Sequence, residues 1–86
     1  MKVIFIGTGN LATRLSLGMK RVGFNIVQVY SYTQDHATSL AEKLGCEWTT
    51  ALEEVHDDAE LYVFSLKDSV LPDVIAGMKP NQGIWI

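Results

Sequence analysis

The sequence predicts an α/β fold: a doubly wound parallel sheet with strand order 3-2-1-4-5. Three observations carry that prediction. Short apolar runs alternate with amphipathic stretches along the chain, the pattern of strand–helix–strand units joined by right-handed crossovers. The strand-like runs, Val3-Ile4-Phe5-Ile6 and Leu61-Tyr62-Val63-Phe64 above all, are continuously apolar, as strands buried on both faces are. Between the first run and the first amphipathic stretch stands Gly7-Thr8-Gly9-Asn10-Leu11-Ala12, a sharp turn built on two glycines.

Taken in order, the first strand is expected over residues 2–6. The first helix covers residues 10–22, with Leu11, Leu15, Gly18 and Val22 on one apolar stripe, Ala12 and Met19 beside it, and Gly23 closing it behind two basic residues. Residues 25–30 carry the β-branched and aromatic side chains of a second strand. Thr33 is the expected N-cap of a second helix, whose Ala37, Leu40, Ala41 and Leu44 repeat at helical spacing before Gly45. Cys46 to Thr49 reads as a short third strand, and Thr50 as the cap of a brief helix over residues 51–55. After the acidic loop of Asp57, Asp58 and Glu60 comes the fourth strand, residues 61–64. A helix over residues 70–78, with Pro72 in its first turn, leads through a turn to a fifth strand opening at Ile84. That strand has only just begun when the sequence stops. The expectation is therefore that residues 1–86 form one dinucleotide-binding domain at the front of a longer protein.

A buried strand that turns through two glycines into a helix is a phosphate-binding device. Gly7 can adopt the turn that a Cβ opposes, Gly9 lets a pyrophosphate approach the backbone, and Ala12 lets helix and strand pack closely. Unpaired N–H groups of the first helical turn then face the phosphates, where the dipole adds about 0.3–1 kcal/mol for an anion. In this context the motif predicts a Rossmann-type fold binding a nicotinamide dinucleotide across the crevice between strands one and four.

The choice of dinucleotide turns on the end of strand two. An acid is expected roughly 20 residues beyond the glycines to hold the adenosine ribose, but Tyr30-Ser31-Tyr32-Thr33 has none there. Ser31 and Thr33 offer hydroxyls and open N–H groups that suit a phosphate, so NADP is favoured over NAD. No arginine stands in this loop for a bidentate pair with that phosphate. Tyr32 reads either as a contact to the adenine or as an exposed loop residue.

Composition narrows the partners. The chain has 86 residues, 48% hydrophobic and 20% charged, enough for one small domain. A net charge of −3 supplies no basic field for nucleic acid. No apolar run approaches the ~20 residues of a membrane span. A single cysteine, Cys46, makes no internal disulfide, so a cytoplasmic setting is expected. Cys46 itself reads as a small buried hydrophobe.

With the glycine turn, the absent acid and the strand-four loop Ser65-Leu66-Lys67-Asp68 in view, the chain resembles a known group. It is similar to the amino-terminal NADP-binding domain of small reductases related to pyrroline-5-carboxylate reductase and the deazaflavin-dependent NADP reductases. The nearest likeness is to a bacterial branch of NADP oxidoreductases, in which such a domain precedes a helical one of unknown function. The resemblance covers the whole chain and rests on Phe5 to Ala12, Val29 to Thr33 and Ser65 to Asp68. It implies that Gly7, Thr8, Gly9, Asn10, Leu11 and Ala12 hold the pyrophosphate. Ser31, Tyr32 and Thr33 would face the adenosine end, and Ser65, Leu66 and Lys67 would border the nicotinamide ribose. In such relatives the residue at Tyr32 is usually an arginine on the 2′-phosphate, so this chain departs from the pattern there. The resemblance also implies a carboxy-terminal helical domain that completes the pocket for a small substrate and forms a homodimer.

Other chemistry-bearing residues have plainer readings. Lys67 is expected to be an exposed loop lysine rather than a catalyst, and His36 and His56 surface histidines without ligand-spaced partners. Glu53, Glu54, Asp57, Asp58 and Glu60 lack the glycine turn of a calcium loop and read as a solvated face. Trp48 belongs near a sheet edge, and Trp85 on the last strand under a covering domain. The expected function is the cofactor half of an oxidoreductase, with no catalytic residue of its own. The alternatives are a regulatory or sensor module that binds a dinucleotide without hydride transfer, and a sugar-nucleotide or adenylate binder.

Overall fold

Five parallel strands alternate with crossovers in a computed structural model that describes residues 1–65 and the strand Ile84–Trp85. The strands are β1 (Lys2–Ile6), β2 (Asn25–Tyr30), β3 (Glu47–Thr49), β4 (Leu61–Phe64) and β5 (Ile84–Trp85), in the order β3-β2-β1-β4-β5. β1 is central, paired to β2 from Lys2↔Asn25 to Ile6↔Tyr30 and to β4 from Val3↔Leu61 to Ile6↔Phe64. This is the doubly wound sheet and order the sequence predicts. The helix expected over residues 70–78 lies outside the described residues, as do Leu66, Lys67 and the side chain of Trp85.

Side chains of β1 alternate between two apolar clusters, one on each face of the sheet. Val3 and Phe5 join Ala12, Ile26, Val29, Leu40, Ala41, Leu44 and Val63 beneath the helices α1 (Asn10–Arg21) and α2 (Gln34–Leu44). Ile4 and Ile6 join Tyr30, Val55, Ala59 and Tyr62 on the other face. In α2 the four residues picked out by spacing, Ala37, Leu40, Ala41 and Leu44, are all buried. Gly45 follows at φ 67° as the cap.

α1 corrects the sequence reading. Its buried residues are Ala12 and Ser16, with Leu17 and Met19 packed partly against the core, whereas Leu11, Leu15 and Val22 are exposed. The physical reason is side-chain size. Ala12 and Ser16 are the small side chains that α1 turns toward the sheet, so its bulkier stripe faces outward. α1 also ends one residue earlier than expected, at Arg21. Gly23 N–H donates to the Lys20 carbonyl and Phe24 N–H to that of Met19, the paired bonds of a Schellman end.

The β3–β4 connection differs too. β3 begins at Glu47, not Cys46, and the brief helix is a single 3₁₀ turn, Leu52–Glu54. Thr49, not Thr50, organises its entry: the Thr49 Oγ1 accepts from Ala51 N–H at 3.1 Å. A register shift between Val3 and Ile4 leaves Val27 as an extra residue of β2 and aims the buried Gln28 at this connection. Gln28 Nε2 donates to the Glu54 carbonyl at 3.1 Å, and its Oε1 accepts from His56 N–H at 2.9 Å. The Tyr62 hydroxyl donates to the His56 carbonyl at 2.6 Å. These bonds tie the backbone of the connection to β2 and β4.

Candidate dinucleotide site

The crossovers leave β1 in opposite directions, toward β2 on one side and β4 on the other, so a crevice opens at the carboxyl ends of β1 and β4. The three loops that emerge there are pinned together. Gly7 N–H donates to the Tyr30 carbonyl at 2.8 Å, and Ser65 N–H donates to the Ile6 carbonyl at 2.8 Å. Gly7 has φ 115°, a conformation that a side chain opposes, and this is what lets the chain leave the buried strand and turn at once into α1.

Gly9 is the N-cap of α1, at φ −66° and ψ −179°, values open to any residue. A Cβ built on it meets nothing within 4 Å. Neither the backbone angles nor neighbouring atoms among the described residues therefore demand glycine here, and among those residues nothing fills the space above it. α1 has no side-chain cap and no acid in its first turn, and its ladder starts with Thr13 N–H to the Gly9 carbonyl at 2.9 Å. The N–H groups of Asn10, Leu11 and Ala12 precede that bond and have no ladder acceptor. A row of open donors beside a position cleared of side chain fits a diphosphate. Ala12 is fully buried in the helix-side cluster, as close helix–strand packing demands, while Asn10 and Leu11 are exposed.

Thr8 and Ser31 join the glycine turn to the end of β2. Thr8 Oγ1 donates to Ser31 Oγ at 2.9 Å, and Ser31 N–H donates to the Thr49 carbonyl at 3.1 Å. Ser31 Oγ also accepts from Thr33 N–H at 3.4 Å, which leaves its own proton for an acceptor. Ser31 is buried, so its hydroxyl organises the loop from beneath, whereas Tyr32 is 89% exposed. Thr33 occupies the N-cap position of α2 but makes no side-chain cap bond. Burial pushes the Tyr30 phenol above its ordinary value, with Tyr32 and Glu53 adding to the rise. Ser65, half-buried, borders the crevice from β4; Leu66 and Lys67 lie outside the described residues.

Four residues that the sequence reading did not place in the site lie beside it. Thr13, His36, Ser39 and Lys43 join Thr8 and Leu40 around a cleft of about 80 Å³ between α1 and α2. Their signal was the spacing of His36, Ser39 and Lys43, which puts the three on one face of α2. A larger cleft of about 220 Å³, lined by Lys2, Val27, Glu47, His56 and Asp58, lies at the amino ends of the strands, away from the glycine turn. There His56 Nε2 is 2.9 Å from Glu47 Oε2, and Lys2 pairs with Asp58 at 3.4 Å, both at the surface. Among the described residues no group of three or more His, Cys, Asp or Glu is placed to hold a metal ion, and no helix is long and apolar enough to cross a membrane.

Known proteins share this fold. A Bacteroides fragilis protein named as an NADP oxidoreductase superposes with a TM-score of 0.91 at 44% identity, covering 98% of this chain and 33% of that one. Pyrroline-5-carboxylate reductase 3 of Macaca fascicularis is 32% identical over 81 residues, 92% of this chain and 30% of the relative. The pyrroline-5-carboxylate reductase of Coxiella burnetii, at 23% identity and a TM-score of 0.71 over 84% of this chain and 27% of that one, shares the fold. The chain thus spans about a third of the length of the relatives it matches. The family model for NADP oxidoreductase, coenzyme F420-dependent, matches residues 2–85, and the chain belongs to that family.

Proposed function

We propose that this chain is the dinucleotide-binding domain of an NADP(H)-dependent oxidoreductase acting on a small substrate. The observation that supports this most is the clear space over Gly9 beside the uncapped first turn of α1. In this reading the turn of Gly7, Thr8, Gly9, Asn10, Leu11 and Ala12 receives the diphosphate, with the N–H groups of Asn10, Leu11 and Ala12 donating to it while that of Gly7 stays on the Tyr30 carbonyl. Ser31, Tyr32 and Thr33 take the adenosine end, with the exposed Tyr32 ring against the adenine. Ser65, Leu66 and Lys67 border the nicotinamide ribose. The bound dinucleotide supplies or accepts the hydride; this chain's residues hold it extended across the carboxyl ends of β1 and β4. NADP is preferred to NAD because β2 is followed by Ser31 rather than by a carboxylate that would repel a 2′-phosphate. The relatives' greater length supports a second domain that supplies the substrate-selecting and proton-donating groups; a homodimer is what the family resemblance implies. Cys46 as the only cysteine supports a cytoplasmic setting.

Gly9→Val tests the assignment. A Cβ fits both the backbone angles and the free space, so the variant should stay folded with about 1 kcal/mol lost at the N-cap, while NADP affinity measured by calorimetric titration falls at least tenfold, ~1.4 kcal/mol. Equal affinity of the two proteins, or no binding of either NADP or NAD by the wild type, overturns it.

A further inference from the structure

The outward stripe of α1 has a spacing that reads the same in both directions. Leu11, Leu15, Gly18 and Val22 are separated by four, three and four positions. At 3.6 residues per turn they fall within an arc of about 60° on one face of the helix. Leu11, Leu15 and Val22 are exposed and belong to neither core cluster, and a Cβ built on Gly18 meets nothing within 4 Å. A contiguous apolar row of this kind marks a surface that another element covers.

A two-fold axis supplies that element. When two copies of α1 pack antiparallel about the midpoint of the row, Leu11 of one copy comes level with Val22 of the other, and Leu15 comes level with Gly18. Bulky residues then meet at both ends of the contact. At its centre each leucine reaches a position that carries no side chain. An isologous interface requires this, because one patch must complement itself. We infer that the outward face of α1 is a self-association surface whose occupant is α1 of a second copy of this chain. The contact needs no second domain and is separate from a homodimer formed through one. Charge sets its strength. Arg14 and Arg21 are exposed along one edge of the row, and α1 contains no acid. The antiparallel pairing brings the arginines of both copies to the same side. A single 12-residue helix face with like charges on one edge makes a weak dimer, with a dissociation constant on the order of 100 μM. Salt screens those charges and tightens it.

The test is sedimentation equilibrium of the 86-residue chain from about 10 μM to about 1 mM, in low and in high salt. Leu15→Gln and Gly18→Leu are compared with the wild type, and a thermal melt of each variant checks the fold. Both positions face outward, and Gly18→Leu also removes a helix-weakening glycine, so both variants stay folded. The wild type should dimerise, more tightly in high salt, and Leu15→Gln should weaken the dimer at least tenfold. Gly18→Leu separates a shaped contact from a sticky one. It adds apolar area, which strengthens a non-specific patch, yet it fills the space that Leu15 of the other copy occupies, so it too should weaken the dimer at least tenfold. A wild type that stays monomeric throughout overturns the inference, as does a dimer that either variant leaves intact or strengthens. Association that loosens as salt rises overturns the pairing of α1 with itself and assigns the contact to groups of opposite charge.

Discussion

Gly7 and Gly9 are two residues apart and answer to different forces. At φ 115° Gly7 is required by the chain itself, because a Cβ there strains the backbone whatever is bound. Gly7→Ala should cost about 1–2 kcal/mol and lower the melting midpoint by roughly 4–8 °C per kcal/mol, measurable without ligand. Gly9, by contrast, is not demanded by the fold, so its larger effect is expected in binding. Cys46 is a third residue whose setting decides its behaviour. Burial pushes its thiol up to about 11, against a smaller lowering by Lys20 and with a still smaller rise from Glu47. The folded protein therefore keeps the neutral thiol where the unfolded chain ionises. That contribution to stability is complete below the ordinary thiol pKa and is lost as pH rises toward 11. Alkylation at pH 8.5 should be slow for native protein and speed up on adding denaturant; equal rates would show an exposed thiolate. The sequence indicated a small hydrophobe at Cys46. It is half-buried, because β3 starts one residue later.

At the scale of elements, the two helices show what periodicity does and does not reveal. In α2 the apolar residues are also the sheet-facing ones, so spacing alone identified the core face. In α1 the largest aliphatic side chains lie at helical spacing on the face that the sheet does not contact. Periodicity finds a stripe but not its direction, which depends on how close the helix must approach β1. Ala12 and Ser16 occupy that approach, both fully buried, while Leu11 and Leu15 are 70% and 43% exposed. Leu15→Gln should therefore change stability by less than about 0.5 kcal/mol. Ser16→Leu, forced against the sheet, should cost about 1–3 kcal/mol by overpacking. Denaturant melts of the two variants check the assignment, and the reverse ranking would restore the outward stripe as the core. The 3₁₀ turn was harder to read. Its position depends on Gln28, distant in sequence and aimed by a bulge that no local pattern announces.

For the whole molecule, the strand order was legible because alternating strands and helices leave few right-handed topologies, and the glycine turn fixes which strand is central. The glycine turn itself was legible because it is local in the chain. The α1–α2 cleft was not, since Thr8, Thr13 and the His36–Lys43 face meet only once both helices are packed on the sheet. A ligand reaching from Ser31 across to Ser65 touches elements that are neighbours only in the folded state, so it should stabilise the whole sheet by mass action. NADP at 100 times its dissociation constant should add about 2.7 kcal/mol and raise the melting midpoint on the order of 10 °C. A midpoint indifferent to NADP would argue that the nucleotide does not select the folded chain.

The bond from Ser65 N–H to the Ile6 carbonyl joins the last described loop to the first strand. During synthesis, then, a polypeptide leaving the ribosome displays its glycine turn early but owns only one bank of the crevice. The opposite bank arrives with β4, after every other paired strand but β5 has emerged. On the proposed dinucleotide reading, the crevice is complete only once the central sheet is assembled.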